Sequence, residues 1–291
     1  MVGNIYIGGN GKTPFVIELV KQLQKAGYTP AIVSRGYGAL SEQECNLSWP
    51  RKVDLKQPPV FFGDEPYLIH YATQCPVVID PQRSRAVDSI EQTTHCDVII
   101  SDDGLQHYAM SRFIEINITD ACRLYGNGFC LPAGPLRESP KRLKSVDYIV
   151  YNISQCSRDY TPRDFPEKSF LMNYKLQELI PVSIAPDTTQ SITLATLKGK
   201  TIHAVAGIGD PQRFFKQLIE LGANVIAHPF DDHHNYQASE LSFGDEYLII
   251  MTEKDAVKCQ SLSLSNAWYL PIKASLDNLL VEQIVQKLKS F

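Results

Sequence analysis

Short apolar runs rich in β-branched residues alternate along the first half of the chain with segments of helical periodicity. The runs are NIYI, TPAIVSR, PVVID, CDVIISDD, FIEINITD and YIVYNI. Between the first two runs, apolar residues recur at helical spacing, at Phe15, Val16, Leu19, Val20 and Leu23. Gly27 then closes the segment. Strands that alternate with helices predict an α/β fold with a parallel sheet and helices on both faces.

The pattern loosens after about Asn152. The passage QCSRDYTPRDFPEKSF is polar and contains prolines, which predicts a connection between domains. New apolar runs follow in TIHAVAGIG, NVIAHPF, YLIIMTEKD and WYLPIKA, with the helical segment PQRFFKQLIELG among them and an amphipathic helix in DNLLVEQIVQKLKSF. We therefore predict a first domain over 1–155, a linker over 156–175, and a second, smaller α/β domain over 176–291. The last helix either stays with the smaller domain or returns to the first.

The composition of the chain limits the kinds of function that it can have. The 291 residues, 44% of them hydrophobic, can form one large or two medium domains with a substantial core. A net charge of −4 argues against a nucleic-acid partner. The seven scattered cysteines contain no CxxC pair, so we expect free thiols in a reducing compartment, with neither a zinc site nor a disulfide framework. No apolar run approaches the ~20 residues of a membrane span, and we expect a soluble cytoplasmic chain.

The stretch GGNGKT lies where the first run meets the first helical segment. Its residues are Gly8, Gly9, Asn10, Gly11, Lys12 and Thr13. Glycines entering a helix leave backbone N–H groups aimed at one point, where the helix dipole also favours an anion. Lys12 would then reach the β- and γ-phosphates of a nucleotide, and the Thr13 hydroxyl would bind its magnesium ion. The generic phosphate-loop pattern is incomplete, however, because Tyr6 stands where it has its first glycine.

A second candidate site is the acidic pair Asp102 and Asp103, which ends the run CDVIISDD. A carboxylate at the end of a neighbouring strand can complete a magnesium site opposite the phosphate loop. Acidic residues also end strands as ordinary turn formers, so the pair alone leaves both interpretations open.

Three further motifs carry alternatives. TEKD resembles a guanine-reading motif, but Lys254 and Asp255 are adjacent, and we interpret the segment as a strand ending in a helix cap. Asp64 in GDEP is either a helix cap or an acid/base partner of His233 in FDDHH. The histidines of HPFDDHH could also lie in a solvated loop or bind a metal.

The motifs taken together, in chain order, resemble the tetraacyldisaccharide 4′-kinase family of lipid A biosynthesis. They are VGNIYIGGNGKTP, SRGYG, GDEP, SDDGLQHY, YGNG, LPAGPLRE, RLKSVD, AVAGIGDPQRFF, DDHH and MTEKDAVKC, and they cover nearly the whole chain. The resemblance implies a P-loop NTPase-like domain and a smaller domain closing over the nucleotide. It also implies transfer of the γ-phosphate of ATP, with Mg²⁺, to the 4′-hydroxyl of tetraacyldisaccharide 1-phosphate.

The resemblance also assigns roles residue by residue. It makes Lys12, Asp64 and His233 catalytic, the last two as an acid/base pair. It places the metal on Thr13, Asp102, Asp103 and Glu138, and the substrate beside Tyr37, Glu65, Arg83, Gln106, His107 and Arg137.

The family resemblance further implies a lipid partner and peripheral contact with the cytoplasmic face of the inner membrane, with a monomer expected. Family members ordinarily carry roughly forty further residues ahead of VGN, including an amphipathic helix that lies on the membrane. We therefore expect the 291-residue chain to bind membranes weakly. Two alternatives remain at the level of sequence: a related P-loop enzyme acting on a soluble metabolite, and a non-catalytic nucleotide-dependent switch or metal-delivery chaperone.

Overall fold

The computed structural model describes residues 1–154, 156, 166–182 and 191–290. The strands in these residues are β1 (Val2–Gly3), β2 (Pro30–Ser34), β3 (Arg51–Lys52), β4 (Val77–Ile79), β5 (Val98–Ser101), β6 (Ile116–Asp120), β7 (Tyr148–Asn152), β8 (Ser169–Leu176), β9 (Ile180–Pro181), β10 (Thr201–Ala206), β11 (Asn224–Pro229), β12 (Leu248–Thr252), β13 (Ala267–Leu270) and β14 (Ile272–Leu276). The α-helices are α1 (Lys12–Lys25), α2 (Glu42–Cys45), α3 (Asp64–Thr73), α4 (Arg83–Thr93), α5 (Pro211–Glu220), α6 (Glu253–Cys259) and α7 (Asn278–Leu288).

These strands group into three sheets across the described residues. Two of them build the larger unit, with strand orders β1-β6-β7-β8-β14 and β3-β4-β2-β5, and the third has the order β11-β10-β12-β13-β9. Pairing is parallel except at β3, β9 and β14. The backbone N–H of Gly104, just after β5, donates to the Val2 carbonyl at 2.9 Å and so joins the first two sheets. The predicted α/β fold with parallel pairing is confirmed.

Strand β2 has helices on both of its faces. Ile32 points into a core shared with α1 and α3, whereas Ala31 and Val33 pack with Ala86 and Ile90 of α4. Successive side chains of a strand point to opposite faces, so a strand covered on both faces reads as an unbroken apolar run. This explains the continuous apolar pattern of TPAIVSR.

The chain returns to the first sheet after leaving it. Strand β14 pairs antiparallel with β8, and α7 buries Leu280 and Ile284 in the core that contains α1. The strands β9 to β13 between these points form the separate third sheet, with the buried side chains of α5 packed on one face. Residues of α6 belong to the core cluster on the other face.

Two predicted strands differ in the structure. The first strand covers only Val2–Gly3, and the next residues form the approach to α1, with the Ile5 carbonyl and the Ile7 N–H bonded to Arg137 and Pro135 instead of to a strand. The run WYLPIKA forms two strands, because Pro271 separates β13 from β14 and the two belong to different sheets.

The predicted linker over 156–175 is partly wrong. Residues 157–165 lie outside the described part of the chain, but residues 169–176 form strand β8, which pairs with β7 and β14. The expectation of free thiols is also wrong for one pair, since a disulfide joins Cys122 to Cys156. These cysteines follow the adjacent parallel strands β6 and β7, whose ends lie side by side.

Candidate active site

A cleft of about 1100 Å³ lies between the two units and receives side chains from both. The larger unit contributes the glycine-rich loop, the SRGYG segment and the acidic strand end. The smaller unit contributes the start of α5, the loop after β11 and the start of α6. Of the predicted site residues, those lining the cleft are Gly8, Gly9, Asn10, Gly11, Lys12, Thr13, Tyr37, Glu65, Arg83, Asp102, Asp103, Gln106, His107, Arg137 and His233.

The glycine-rich loop presents the N-terminus of α1 to this cleft. Gly11 is the N-cap residue with φ of 89°, and no side chain caps the helix. A β-carbon at Gly11 would lie 2.2 Å from the Tyr174 hydroxyl oxygen and 2.6 Å from Nδ2 of Asn152. Only glycine therefore fits between the loop and the ends of β7 and β8. Lys12 and Thr13, the first residues of α1, line the cleft, so the helix N-terminus that suits an anion lies at the cleft.

Asp103 forms an ion pair with two cations. Its carboxylate lies 2.8 Å from Nη1 of Arg137 and 3.5 Å from Nζ of Lys12. Arg83 stabilises the turn at Asp102 and Asp103, because its Nη2 donates to the backbone carbonyl of Asp102 at 3.1 Å and to that of Asp103 at 2.9 Å. Burial opposes ionisation of Asp103, but the charges of Lys12 and Arg137 outweigh it and hold its pKa below the ordinary value.

Asp102 has the opposite environment. Its side chain is buried, and its Oδ1 has no hydrogen-bond partner among the residues that the structure describes. Burial, and next the negative charge of Glu65, raise its pKa to about 7. A buried carboxylate oxygen without a partner, beside a phosphate-binding loop, suits a hard cation such as Mg²⁺, which prefers oxygen ligands. Thr13, the other predicted magnesium residue of the loop, lines the same cleft as Asp102.

Asp64 and His233 meet across the boundary between the units. Oδ2 of Asp64 lies 2.9 Å from Nδ1 of His233, although 169 positions separate them in the chain. The cap interpretation of Asp64 is wrong, because the N-cap of α3 is Gly63 and no side chain caps that helix. His233 has a left-handed backbone with φ of 67°, and the Tyr37 ring lies against it with centroids 5.5 Å apart.

Two lysines to which the sequence assigned no role at the site, Lys254 of TEKD and Lys258, also reach Asp64. Nζ of Lys254 lies 3.8 Å and Nζ of Lys258 3.7 Å from Oδ2 of Asp64. Lys254 also bonds to Asp232 at 2.8 Å. Both lysines stand on α6 four residues apart, the spacing that places side chains on one helix face, so this signal was present in the sequence. The cap interpretation of TEKD is confirmed, since the Thr252 side chain accepts from the N–H of Asp255.

The metal alternative for HPFDDHH gains no support. Among the described residues, no group of three or more His, Cys, Asp or Glu side chains is arranged to hold a metal ion. His233 bonds to Asp64 instead, and Nε2 of His234 lies 3.2 Å from the carboxylate oxygens of Glu240.

Glu138 does not join the acidic pair. Its Oε1 accepts from Nε2 of Gln106 at 2.7 Å, and its Oε2 accepts from the Tyr108 hydroxyl. Gln106 in turn donates to the Asn4 carbonyl at 2.9 Å, so Glu138 fixes Gln106 rather than facing Asp102. The structure thus places Glu138 behind the predicted site and outside the cleft lining.

A parallel α/β sheet, a glycine-rich loop at a helix N-terminus and a buried aspartate at a neighbouring strand end define a P-loop kinase. The family model described as tetraacyldisaccharide-1-P 4′-kinase matches residues 1–289. The chain belongs to the tetraacyldisaccharide 4′-kinase family.

Individual relatives agree with this membership. The tetraacyldisaccharide 4′-kinase of Hahella chejuensis is 43% identical over 290 residues, covering 99% of this chain and 80% of the relative. That of Methylobacillus flagellatus is 44% identical, covering 99% and 81%. Among solved structures, the Aquifex aeolicus LpxK, described as an "apo" form in complex with ATP, superposes with a TM-score of 0.79 at 26% identity, covering 99% of this chain and 87% of that one.

Proposed function

We propose that this chain transfers the γ-phosphate of ATP to the 4′-hydroxyl of a tetraacylated disaccharide 1-phosphate. The observation that carries the proposal is that one cleft contains both a phosphate-binding loop and, from the facing unit, a histidine bonded to a buried carboxylate. The phosphate-binding loop suits the phosphate donor, and the histidine–carboxylate pair suits a hydroxyl acceptor. Family membership supports the choice of substrate.

The donor side of the cleft carries groups that suit the charged polyphosphate of ATP. The backbone of Gly8–Gly11 and the start of α1 would hold the polyphosphate, with Lys12 on the β- and γ-phosphates. Asp103 now pairs with Lys12 and Arg137, so it holds both cations at the rim of the loop. Asp102 and Thr13 would bind Mg²⁺, which when bound supplies positive charge against the phosphate oxygens.

The acceptor side of the cleft carries a histidine that can accept a proton. Because Nδ1 of His233 faces the Asp64 carboxylate, the tautomer with its proton on Nδ1 leaves Nε2 as an acceptor. Nε2 would take the proton of the sugar hydroxyl as that oxygen attacks the γ-phosphorus, and the bond from this phosphorus to the β,γ-bridging oxygen would break to release ADP. Lys254 and Lys258 balance the negative charge of Asp64, and Tyr37, 73% exposed at the cleft, lies where it can pack against the sugar.

The two units would close further on the substrates, which would exclude water from the transferred phosphoryl group. One chain supplies both halves of the Asp64–His233 pair, so a monomer suffices. No described helix has the length and apolarity to cross a membrane. Because the family's substrate is a lipid and ATP is a cytoplasmic nucleotide, the proposal also includes peripheral contact with the cytoplasmic face of the inner membrane.

The test is a transfer assay with γ-labelled ATP, Mg²⁺ and detergent-dispersed tetraacyldisaccharide 1-phosphate. We expect label in a doubly phosphorylated lipid, located at the 4′-position by mass spectrometry. The same assay with the deacylated, water-soluble disaccharide addresses a soluble acceptor. ATP binding without any transfer to the lipid would overturn the proposal.

A further inference from the structure

The loop that follows β6 exposes large apolar side chains. Leu124 is 39%, Phe129 63% and Leu131 54% exposed, and Ile7, beside this loop, is 40% exposed. We call these four residues the apolar tip. Single exposed apolar side chains are ordinary, but four in one small region mark an interaction surface.

The exposure is fixed by the loop's own hydrogen bonds. The N–H of Leu131 donates to the Leu136 carbonyl at 2.9 Å, and the N–H of Leu136 donates to the Phe129 carbonyl at 3.2 Å. The side chain of Asn127 accepts from the N–H of Phe129 at 3.1 Å and donates to the Ala133 carbonyl at 3.0 Å. Because these backbone N–H and C=O groups are already hydrogen-bonded within the loop, the loop keeps the conformation in which the tip side chains are exposed.

The same loop is bonded to the phosphate loop. The N–H of Ile7 donates to the Pro135 carbonyl at 3.0 Å, and the N–H of Arg137 donates to the Ile5 carbonyl at 2.7 Å. Gly8 follows Ile7 directly, and Arg123, next to Leu124, lines the cleft. The apolar tip therefore stands at the rim of the proposed catalytic site.

The chain segment that carries the tip is rich in basic residues. Residues 122–144 contain five basic side chains and one acidic one, and of the basic ones Arg137 and Arg142 form ion pairs with Asp103 and Glu115. Lys141 and Lys144 are exposed on the short helical turn Pro140–Lys144. Apolar side chains flanked by basic ones match a bilayer whose surface carries anionic headgroups.

We propose that the apolar tip inserts into the boundary between headgroups and acyl chains of an anionic bilayer, with Lys141 and Lys144 against the headgroups. This inference rests on the proposed function, since a kinase for a bilayer lipid needs its cleft at the membrane surface. Insertion of the tip would bring the mouth of the cleft to the headgroup level, where a disaccharide headgroup lies.

The first experiment is co-sedimentation of the chain with vesicles of phosphatidylcholine and phosphatidylglycerol, and with phosphatidylcholine alone. Replacing the tip residues in Phe129→Ser/Leu131→Ser should lower the partition coefficient roughly tenfold or more. The matched control is Ile219→Ser/Leu279→Ser, which removes comparably exposed side chains, 56% and 52%, from α5 and α7. The control should partition like the parent chain, and the parent should bind better when phosphatidylglycerol is present.

The second experiment uses the native cysteines. Cys130 lies between the tip residues Phe129 and Leu131 and is exposed, whereas Cys45 is half-buried and lies on α2 in another part of the larger unit. Anionic vesicles should slow the reaction of Cys130 with a water-soluble maleimide severalfold and leave the rate at Cys45 unchanged, as read by peptide mass spectrometry. This arm needs no mutation, so it stands even if a tip variant folds poorly.

The outcomes separate the two proposals. Equal partition of parent and tip variant, or a Cys130 rate that vesicles do not change, overturns insertion of the tip while transfer to detergent-dispersed lipid can still be measured. Loss of transfer in the parent chain with normal vesicle binding overturns the proposed function instead. A tip variant that keeps detergent-phase activity and loses vesicle binding supports both.

Discussion

At the scale of single residues, Lys12 is placed to act on the phosphates, because it stands at the start of α1 within 3.5 Å of Asp103. Lys12→Ala removes a cation where charge moves in the transition state, so we expect kcat to fall roughly 10²-fold or more. The control is Lys25→Ala, in the last turn of the same helix and exposed, which should change kcat little. Near-normal turnover of Lys12→Ala would exclude a phosphate role for this lysine.

Asp64 and His233 are expected to act as one unit because they share a hydrogen bond of 2.9 Å. Asp64→Ala and His233→Ala should each lower kcat strongly, and the double variant should be scarcely slower than either, since residues acting together are non-additive. Equilibrium ATP binding, measured by calorimetry, should survive in all three. His234→Ala, which alters the neighbouring histidine and its bond to Glu240, is the control. Fully additive losses would assign the two residues independent roles.

Asp102 gives a prediction about pH. Its folded-state pKa, near 7, lies above its ordinary value of 3.8, so the folded state holds the proton more tightly than the unfolded chain does. Stability from this group is present below about pH 4 and lost as pH rises towards 7. Without Mg²⁺ and nucleotide, Asp102→Asn should therefore raise the free energy of unfolding by roughly 1 to 3 kcal/mol at about pH 8 and much less at about pH 4.

Denaturant unfolding at the two pH values measures this difference. Asp88→Asn, an exposed carboxylate on α4, should be neutral at both. Asp102→Asn should also lose transfer activity, so a more stable protein would be a less active one. An equal effect on stability at both pH values would contradict the burial argument.

Some residues of the candidate site could be predicted from the sequence and others could not. Gly8–Thr13 and Asp102 were predictable because a glycine-rich loop and a strand-end carboxylate each carry a local pattern. Periodicity could not predict the contact between Asp64 and His233, which lie 169 positions apart, and only the family resemblance paired them. Glu138 was misplaced because a motif position does not reveal that Gln106 and Tyr108 occupy its oxygens.

At the scale of elements, α6 depends on its first residue. Oγ1 of Thr252 accepts from the N–H of Asp255 at 3.2 Å and donates to the Asp255 carboxylate at 2.6 Å, all of it buried. Thr252→Ala should lower the free energy of unfolding by about 1 to 2 kcal/mol, measured in denaturant. Thr252→Ser keeps the hydroxyl and should recover most of the loss. An unchanged midpoint for Thr252→Ala would mean that another group caps α6.

Most helices and strands could be predicted from the sequence because their apolar periodicity is strong. Strand β8 and the first strand are exceptions. In β8, Phe170 and Met172 are buried while Asn173 is exposed, which is the alternation of a strand. The adjacent polar passage concealed this alternation. The first strand was placed too late in the chain because apolar residues of NIYI pack in the loop beside Leu136 instead of in a ladder.

At the scale of the whole molecule, buried charge joins the two units. Nζ of Lys258 lies 2.9 Å from Asp255 within its own helix and 3.7 Å from Asp64 of the facing unit, and all three side chains are less than a tenth exposed. Lys258→Ala would leave two buried carboxylates without this cation. We expect a loss of about 3 to 5 kcal/mol in the free energy of unfolding.

The control is Lys216→Ala, which removes a lysine 77% exposed in an ion pair with Glu220 and should cost less than about 1 kcal/mol. Calorimetry adds a second readout. The parent should unfold in a single transition, whereas Lys258→Ala should broaden or split it as the units uncouple. A loss no larger than that of the control would mean that the charges at this boundary are screened.

The return of the chain to the first sheet has a consequence for synthesis on the ribosome. Strand β14 pairs with β8, and α7 covers α1, the helix that carries Lys12. Neither contact can form until residues 272–288 have left the exit tunnel. A nascent chain paused before that point would expose apolar side chains of α1 while already displaying the glycine-rich loop. The larger unit, although most of it is made first, is therefore completed last, and a ribosome stalled near Pro271 should present a substrate for hydrophobic-binding chaperones.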